Sequence, residues 1–340
     1  MAVTIKDVAR EARVSVASVS RALNGHRSMT ADTRGRIMGV VERLRYVPHP
    51  SARSLITRRT HTIGALLPDL HGEFFSELIR GIDIAARARG LHLLVSSSHG
   101  DAGEVAAASR AMQGRVDGML VMSPYVDAQI ARDDLPLDLP IVLLNAPPAN
   151  AQHSTLNVDN YGGAFAMVQH LAGRGHRRIA MIAGPENNFD AAERLRGYRE
   201  AMARSAPDVA PCVLAGDFTE ESGYAAGLRL LAQKERPQAV FAANDIMAVG
   251  CLIALNEAGV RVPQDIALAG FDDIPIARFV APPLTTVRVR IADLGRNAVE
   301  TLALQLENPE AEQEGKRQTV GCEIVARGSC GVEAARAQRQ

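Results

Sequence analysis

The spacing of hydrophobic positions changes near residue 60 and divides the chain into two differently built parts. Before that point, apolar residues recur every three or four positions, as in helices that bury one face. After residue 61, short apolar runs alternate with amphipathic stretches. Such a βαβα rhythm is typical of open parallel sheets with helices on both faces. The pattern predicts a helical head followed by an α/β core.

Three short helices are predicted in the head. Thr4 precedes the first as an N-cap, and that helix runs to about Ala12. Ser15 caps a second helix, which Asn24-Gly25 ends, because such a pair suits the turn after a helix. Thr30 begins the third. Two helices joined by a tight turn and closed by a third form a helix-turn-helix arrangement.

The core is too long for one small sheet. We therefore expect two similar doubly wound α/β lobes, with a ligand site in the cleft between them. A polar, basic linker separates this core from the head, because prolines stop the third helix. The predicted boundaries are 1–47 for the head, 48–60 for a hinge and 61–340 for the core. Lobe 1 is expected at about 61–170 and 290–320, and lobe 2 at about 171–289 and 321–330.

The charge of the chain is unevenly distributed. The net charge is zero, yet residues 1–60 hold 12 Lys and Arg against 4 Asp and Glu. The remaining residues hold 26 against 34. A basic head on an acidic body indicates that the head meets a polyanion. A solvated basic tail is the alternative, but the organised helices favour nucleic-acid binding.

Composition narrows the class of protein further. The chain is 47% hydrophobic and has no Trp, which suits an α/β protein. Its four cysteines lack metal-binding spacing, so we expect no metal, no cofactor and no disulfide framework. The N-terminal stretch MAVTIKDVAR lacks the apolar run of a signal peptide, and no stretch approaches the length of a membrane span. The expected location is the cytoplasm, without a membrane partner.

Several motifs are specific enough to indicate a family. They include TIKDVAREARVSVASVSRALNG, RLRYVPHPSARSL, AVFAANDIMAVG, IALAGFDDIP and PPLTTVRV. In this order the chain resembles the LacI/GalR family of bacterial transcriptional regulators over nearly its whole length. The resemblance implies a homodimeric repressor, expected to control carbohydrate-utilisation genes. Its core would look like a periplasmic sugar-binding protein and would control how the head grips operator DNA.

The resemblance places Val16, Ala17 and Arg21 at base-reading positions of the second helix. Their modest bulk suits a major groove only about 12 Å wide. Arg21 can donate to guanine O6 and N7, and the two small residues can contact thymine methyl groups. Ordinary helix packing is the alternative for Val16 and Ala17. The other expected DNA contacts are polar side chains that would hydrogen-bond to the DNA backbone or to base edges: Thr4, Ser15, Ser18, Ser20, Asn24, His26 and Thr33.

The linker matches the family's hinge helix, which forms when two subunits sit side by side on DNA. Leu55 would insert into a central minor-groove CG step, with Ala52 and Arg53 beside it. The implied operator is a pseudo-palindrome, each half read by one head. Two departures from the family pattern are His49-Pro50 in this linker and Arg13, at a turn position that often holds Gly.

The resemblance also implies an effector site for a mono- or oligosaccharide. Arg194 and Asp272 can make bidentate contacts to paired hydroxyls, and Asn244 can donate and accept at once. Phe218 would supply a flat apolar surface, and Asp159 lies at the lobe boundary. An ordinary surface salt bridge is the alternative for Arg194. Three residues complete the expected site: Phe74, Phe75 and Asp190.

Three further expectations concern individual side chains of this region. Of Phe74 and Phe75, one is expected to face the cleft and the other to pack in the core. Asp190 stands where relatives often have a small hydroxyl, which would tune the site toward more hydroxyls or toward a cationic group. Asp273, next to Asp272, is expected to be a turn or helix-cap residue.

Other functions fit the sequence less well. No GxGxxG after a strand, GxxxxGK[ST], GxSxG or HExxH occurs, so an enzyme is not expected. A basic head is not expected in a protein that only transports sugar. Release of DNA by the effector is favoured over tighter binding, although the sequence leaves both open. The dimer face should include the helix around Arg80 to Ala86, and the tail is too short and polar for a tetramer-forming heptad seam.

Overall fold

A computed structural model describes residues 3–23, 29–46, 59–125, 139–147, 153–308 and 315–331 of the chain. The chain separates into two compact units, residues 1–60 and 61–340. Five of the expected DNA contacts lie outside the described residues: Asn24, His26, Ala52, Arg53 and Leu55.

The first unit contains the three predicted helices. They are α1 (Ile5–Ala12), α2 (Val16–Leu23) and α3 (Ala31–Arg43). Each buries one apolar face against the other two, so the helical spacing of the sequence is confirmed. The shared core of this unit consists of Val8, Ala9, Ala12, Val19, Ala22, Ile37, Val40 and Val41.

The turn between α1 and α2 depends on a residue in the left-handed region. Arg13 has φ 54° and ψ 47°, and its N–H donates to the carbonyl of Arg10. A glycine adopts this conformation without the Cβ clash that an arginine suffers. An arginine in place of the family's usual Gly therefore destabilises this turn. On its far side, the Ser15 hydroxyl accepts the N–H of Ser18 at 3.1 Å, as expected of an N-cap.

The second unit contains two six-stranded sheets, which confirms the predicted α/β core. The strands of the first are β1 (Thr62–Leu67), β2 (His92–Ser97), β3 (Gly118–Met122), β4 (Ile141–Leu144), β5 (Ser154–Val158) and β11 (Arg317–Val320). Their described pairings are all parallel, in the order β11-β5-β4-β3-β1-β2.

The strands of the second sheet are β6 (Ile179–Ile182), β7 (Cys212–Leu214), β8 (Ala239–Ala242), β9 (Ala267–Asp272), β10 (Thr285–Arg288) and β12 (Glu323–Val325). They have the order β12-β10-β9-β8-β6-β7, and only β12 among the described pairings is antiparallel. The central strands are fully buried and mostly apolar, as expected where helices cover both faces.

Helices divide between the two sheets. The helices α4 (Glu73–Ala88), α5 (Ala102–Met112) and α10 (Ile291–Glu307) pack with the first sheet. With the second sheet pack α6 (Asn160–Gly173), α7 (Phe189–Ser205), α8 (Glu220–Leu231) and α9 (Asp245–Glu257). In the part of the chain that is described, no helix combines the length and the apolar composition required to cross a membrane.

The chain crosses between the sheets three times: between β5 and α6, between β10 and α10, and between β11 and β12. The first crossing comes earlier than the lobe boundary expected near residue 170, because α6 packs against α7 and against strands of the second sheet. Three crossing segments close together provide a natural hinge between two lobes.

Candidate effector site and DNA-reading face

The polar residues of the candidate effector site follow buried strands. Asn145 comes directly after β4, Asn160 after β5 and Asn244 after β8, and Asp272 ends β9. Ligands of open α/β sheets bind at the carboxyl ends of the strands. The topology thus brings polar side chains from both sheets toward the space between the lobes.

Arg194 on α7 is buried, with 4% of its surface exposed. Its Nε donates to Asn160 Oδ1 at 2.8 Å, and its Nη1 donates to the carbonyl of Ala243. Its Nη2 lies 3.1 Å from Asp272 Oδ1. Arg194 is therefore not an ordinary surface ion pair. It ties α7 to α6 and to the ends of two strands of the second sheet.

Asp190 is one turn before Arg194 on α7 and is also buried. Its Oδ1 accepts from Asn160 Nδ2 and its Oδ2 from Asn145 Nδ2, both at 2.8 Å. Since Asn145 follows a strand of the first sheet, the second of these bonds crosses between the lobes. Asp190 and Arg194 are also joined through the amide of Asn160.

Burial disfavours the charged form of the carboxyl groups here. It raises the pKa of Asp190 to about 7, against the opposing effect of Arg194. It raises the pKa of Asp272 to about 6, although Arg194 again lowers it. The pKa of Asp245, at the start of α9, is also raised by burial and then by the nearby Asp272. Burial therefore moves the pKa of Asp190 and of Asp272 toward neutral pH.

One buried oxygen of the site, Asn145 Oδ1, has no hydrogen-bond partner among the described residues, whereas Asp272 Oδ1 is met by the ion pair with Arg194. Buried acceptors are nearly always satisfied, and exceptions often mark a place for a ligand or water. An amide oxygen accepts hydrogen bonds, so a molecule that completes the site must donate to Asn145.

Aromatic rings flank the guanidinium. Arg194 Cζ lies 3.8 Å from the ring centroid of Phe271 and 5.8 Å from that of Phe218. Phe218 has φ 71°, a conformation unusual for a bulky residue. Its ring packs so closely over Gly184 that a Cβ there would lie 2.5 Å from it. The structure thus places Phe218 beside Arg194, where the sequence expected a flat apolar surface.

Two predicted contacts also serve as helix caps. Asn244 Oδ1 accepts the N–H of Met247 at 2.9 Å, and its Nδ2 donates to the carbonyl of Phe218 at 3.1 Å. Asp159 Oδ1 accepts the N–H of Gly162 at 2.9 Å. Asn244 thereby holds the Phe218 loop against α9, and Asp159 fixes the start of α6 at the first crossing.

The two consecutive phenylalanines at the start of α4 pack together. The rings of Phe74 and Phe75 meet edge to face with centroids 5.4 Å apart. Both are half-buried and contact the main hydrophobic core. Both side chains therefore contribute to the core, whereas the sequence assigned that role to one of them.

Asp273 is neither a free turn residue nor a helix cap. Its carboxylate is buried and lies 2.6 Å from Arg288 Nε and 3.7 Å from Arg278 Nη2. Arg327 also donates to it. Asp273 is thus neutralised by three arginines and has a structural role beside the site.

Sequence reasoning missed Asn145, Asn160 and Tyr125. The backbone of Tyr125, after β3, pairs with that of Asn188 before α7, so it too bridges the lobes. Burial raises the pKa of Tyr125. The available signal was a polar residue at the end of an apolar run, as in PIVLLN and VDN. Whether such a residue faces a cleft depends on tertiary packing, which the run itself does not report.

The outer face of α2 is formed by the residues expected to read bases. Val16 is 41% exposed, and Ala17 and Arg21 are exposed as well, whereas Val19 and Ala22 on the opposite face are buried. Packing in the head core therefore does not explain Val16 and Ala17. Arg21 Nε donates to the carbonyl of Ala17 at 3.3 Å.

The polar residues around α2 are engaged in local hydrogen bonds. The hydroxyls of Ser15 and Ser18 lie 2.9 Å apart, and Ser20 is half-buried. The Thr4 hydroxyl donates to Asp7 at 2.7 Å, which closes a capping box on α1. Thr33 accepts from the Thr30 hydroxyl at 2.9 Å. These bonds fix the orientation of hydroxyls near the exposed face of the head.

Two family models match the chain. Residues 4–49 match the family described as "Bacterial regulatory proteins, lacI family", and residues 168–330 match "Periplasmic binding protein-like domain". The chain is 36% identical over 333 residues to the HTH-type transcriptional repressor CytR of Escherichia coli (strain K12), covering 96% of each.

Solved structures give the same picture. The lac repressor dimer bound to operator and the anti-inducer ONPF is 28% identical, with a TM-score of 0.87, and the match covers 97% of this chain and 99% of that one. The complex of the transcriptional regulator CelR with cellobiose is 30% identical, with a TM-score of 0.71, covering 96% and 99%.

Proposed function

Because the chain belongs to the lacI family of bacterial regulatory proteins, we propose that it is a sequence-specific DNA-binding repressor controlled by a small effector. The observation that carries the proposal is the exposed face of α2, where Val16, Ala17 and Arg21 point away from the head core. A helix with this face fits a major groove and offers a guanidinium fork for guanine.

We infer that the repressor acts as a homodimer on a pseudo-palindromic operator. The lac repressor structure is that of a dimer bound to operator. Half-sites about one helical turn apart would match two heads. Leu55, with Ala52 and Arg53 beside it, is proposed to insert into a central CG step, because leucine can unstack a step without needing hydrogen-bond partners.

The effector is proposed to be a mono- or oligosaccharide bound between the core lobes. CelR is a relative with cellobiose bound. In this chain the supporting features are the buried pair of Arg194 and Asp272, the unpartnered Oδ1 of Asn145, and the ring of Phe218. Sugar hydroxyls would donate to the acceptors, and a sugar ring would lie against the aromatic face.

We propose that effector binding releases DNA. An effector held by both lobes favours one lobe arrangement, and that arrangement would space the two hinge segments badly for the operator. Effector and operator affinities must then be reciprocally coupled. The genes controlled are proposed to serve carbohydrate utilisation. The protein would act on DNA in the cytoplasm and would not be an enzyme, since the curated relatives are transcriptional repressors.

The DNA-reading role is tested by selecting sites from a random duplex library with the full chain and measuring affinity by fluorescence anisotropy. We expect a two-fold symmetric site. Arg21→Ala should weaken binding roughly 5- to 150-fold, since a bidentate arginine–guanine contact contributes about 1–3 kcal/mol. Arg89→Ala, an exposed arginine of the core, should have no effect. A single asymmetric half-site bound by a monomer contradicts the proposal, as does unchanged affinity of Leu55→Ala.

The effector role is tested by thermal shift against a panel of mono- and oligosaccharides, followed by operator release in the same anisotropy assay. Arg194→Ala should abolish any shift. A sugar that stabilises both the wild type and Arg194→Ala contradicts this pocket.

A further inference from the structure

The site described above contains more buried acidic side chains than buried basic ones. Asp190, Asp272 and Asp245 are all buried, with at most 6% of their surface exposed. Arg194 is the only buried cationic side chain among the described residues. Burying an ionised carboxylate without a counter-charge is costly. The described residues therefore offer a single buried counter-charge to the three acids if they ionise.

The neighbouring Asp273 shows how this chain compensates a buried acid elsewhere. Three arginines surround that carboxylate: Arg288, Arg327 and Arg278. Asp190 and Asp272 share Arg194 between them, and Arg194 also donates to an amide and a backbone carbonyl. The two acids of the cleft thus lack the compensation that the acid beside them has.

The hydrogen bonds to Asp190 favour its ionised form. Each of its oxygens accepts an amide N–H, one from Asn145 and one from Asn160. A carboxylate accepts on both oxygens, whereas a protonated carboxyl group must donate from one of them. These hydrogen bonds favour the ionised form of Asp190, whereas burial disfavours it. A cation placed nearby would stabilise the ionised carboxylate.

The unpartnered amide oxygen indicates the same chemistry. Asn145 Oδ1 has no donor among the described residues, and Asn145 is 1% exposed. An ammonium group has three donors and no acceptor, so every hydrogen bond it makes here is favourable. The ring of Phe218, half-buried beside Arg194, offers an aromatic face to a cation.

Building on the proposed function, we propose that the effector is an amino sugar, whose ammonium group is bound by Asp190 and Asp272 while its hydroxyls meet Arg194 and Asn145. The proposal chooses the cationic alternative for Asp190 over additional hydroxyls. Asp190 then determines specificity, since its carboxylate distinguishes a charged ligand from a neutral one of the same shape.

The test compares matched ligands on the full-length protein. Glucosamine, galactosamine and mannosamine are titrated beside the parent hexoses and the N-acetyl forms, which keep the nitrogen but lose its charge. Binding is followed by isothermal titration calorimetry at pH 7. We expect at least one amino sugar to bind at least tenfold more tightly than both its neutral counterparts.

Variants assign the preference to the carboxylate. Asp190→Asn keeps the shape but removes the charge, and it should reduce the amino-to-neutral affinity ratio at least tenfold. Asp265→Asn, at an exposed acid paired with Arg261, serves as the matched control and should keep the ratio. The comparison of ligands on the wild-type protein stands even if Asp190→Asn folds poorly.

Each outcome bears on the proposal. Three results would contradict the proposed ammonium contact. They are tighter binding of the parent hexoses, equal binding of the charged and N-acetyl forms, and no response to any of the three amino sugars. If only neutral sugars bind and release the operator, the proposed control of DNA binding by sugars stands, and the proposed ammonium contact is wrong. Operator affinity that no sugar of either kind alters contradicts the proposed control by sugars itself.

Discussion

At the scale of single residues, the cleft is organised around Asn160. Its amide accepts from Arg194 and donates to Asp190, so one side chain orients a cation and an anion one helical turn apart. Asn145 extends this chain to the other lobe. Connected buried polar groups of this kind specify a unique arrangement when every member is satisfied. Here Asn145 Oδ1 has no hydrogen-bond partner among the described residues, at the place where a ligand is proposed.

The raised pKa of Asp190 has a consequence for stability. The groups that face it are Arg194 on its own helix, Asp272 from β9, Tyr125 after β3, and the amides of Asn145 and Asn160. An unfolded aspartate has a pKa near 4, while this one is about 7 when folded. Its contribution to stability is therefore complete below pH 4 and is lost as the pH rises to about 7.

Asp190→Asn removes this titration, so the difference in Tm between wild type and variant isolates it. We expect the wild type to lose on the order of 5 °C relative to the variant between pH 5 and 8. Differential scanning fluorimetry in low-salt buffers measures both curves. Asp265→Asn, whose acid is exposed, should leave the wild-type profile unchanged across this range. A constant difference at all pH values would refute the pKa shift.

At the scale of elements, the sequence predicted what depends on local pattern. Caps such as Thr4, Ser15 and Thr30 and the apolar spacing placed the helices of the head. Burial was predictable at Val19 because its spacing puts it on the inner face of α2. The partners of Asp190 were not predictable, since they come from residues 45 and 30 positions away in the chain. Such contacts are set by how the lobes meet.

The turn after α1 gives a test of local strain. Arg13→Gly should stabilise the head by about 1 kcal/mol, because glycine adopts φ 54° without a Cβ clash. Slower amide hydrogen exchange in α1 and α2 of the full chain measures this. Lys6→Gly, in the exposed part of α1, should have the opposite effect, since glycine is disfavoured within helices. Faster exchange in Arg13→Gly would show that the turn is not strained.

Packing of the helices on the second sheet depends on close approach. A Cβ on Gly223 of α8 would lie 2.2 Å from the backbone carbonyl oxygen of Met247 on α9. Backbone cannot yield as a flexible side chain does, so Gly223→Ala should cost about 2 kcal/mol or more. At Gly173, in the last turn of α6, nothing lies within 4 Å. Gly173→Ala should be neutral or slightly stabilising, and urea unfolding of the two variants compares them directly.

At the scale of the whole core, several of the described contacts between the lobes are single hydrogen bonds or a single backbone bridge. Asn145 bonds to Asp190, Tyr125 pairs with Asn188, and Glu73 accepts the backbone N–H of Ile276 at 2.9 Å. Contacts of this size stabilise one arrangement of the lobes without locking it, since a hydrogen bond contributes about 1 kcal/mol net. An equilibrium between lobe arrangements is what an effector can shift.

The bond from Glu73 tests this equilibrium at a position that the proposed effector and DNA contacts do not include. We take the described lobe arrangement, which this bond stabilises, as the one that the effector favours. Glu73→Ala removes the bond and should weaken effector binding about fivefold, the equivalent of about 1 kcal/mol. Operator affinity should be unchanged or raised, because the arrangement without effector becomes more populated. Glu77 lies one turn further along α4, and its described side-chain contacts are with Arg80. Glu77→Ala should change neither affinity. Calorimetry and operator anisotropy on the same samples separate the two effects. A parallel loss of both affinities would mean that Glu73 supports folding and does not control the lobes.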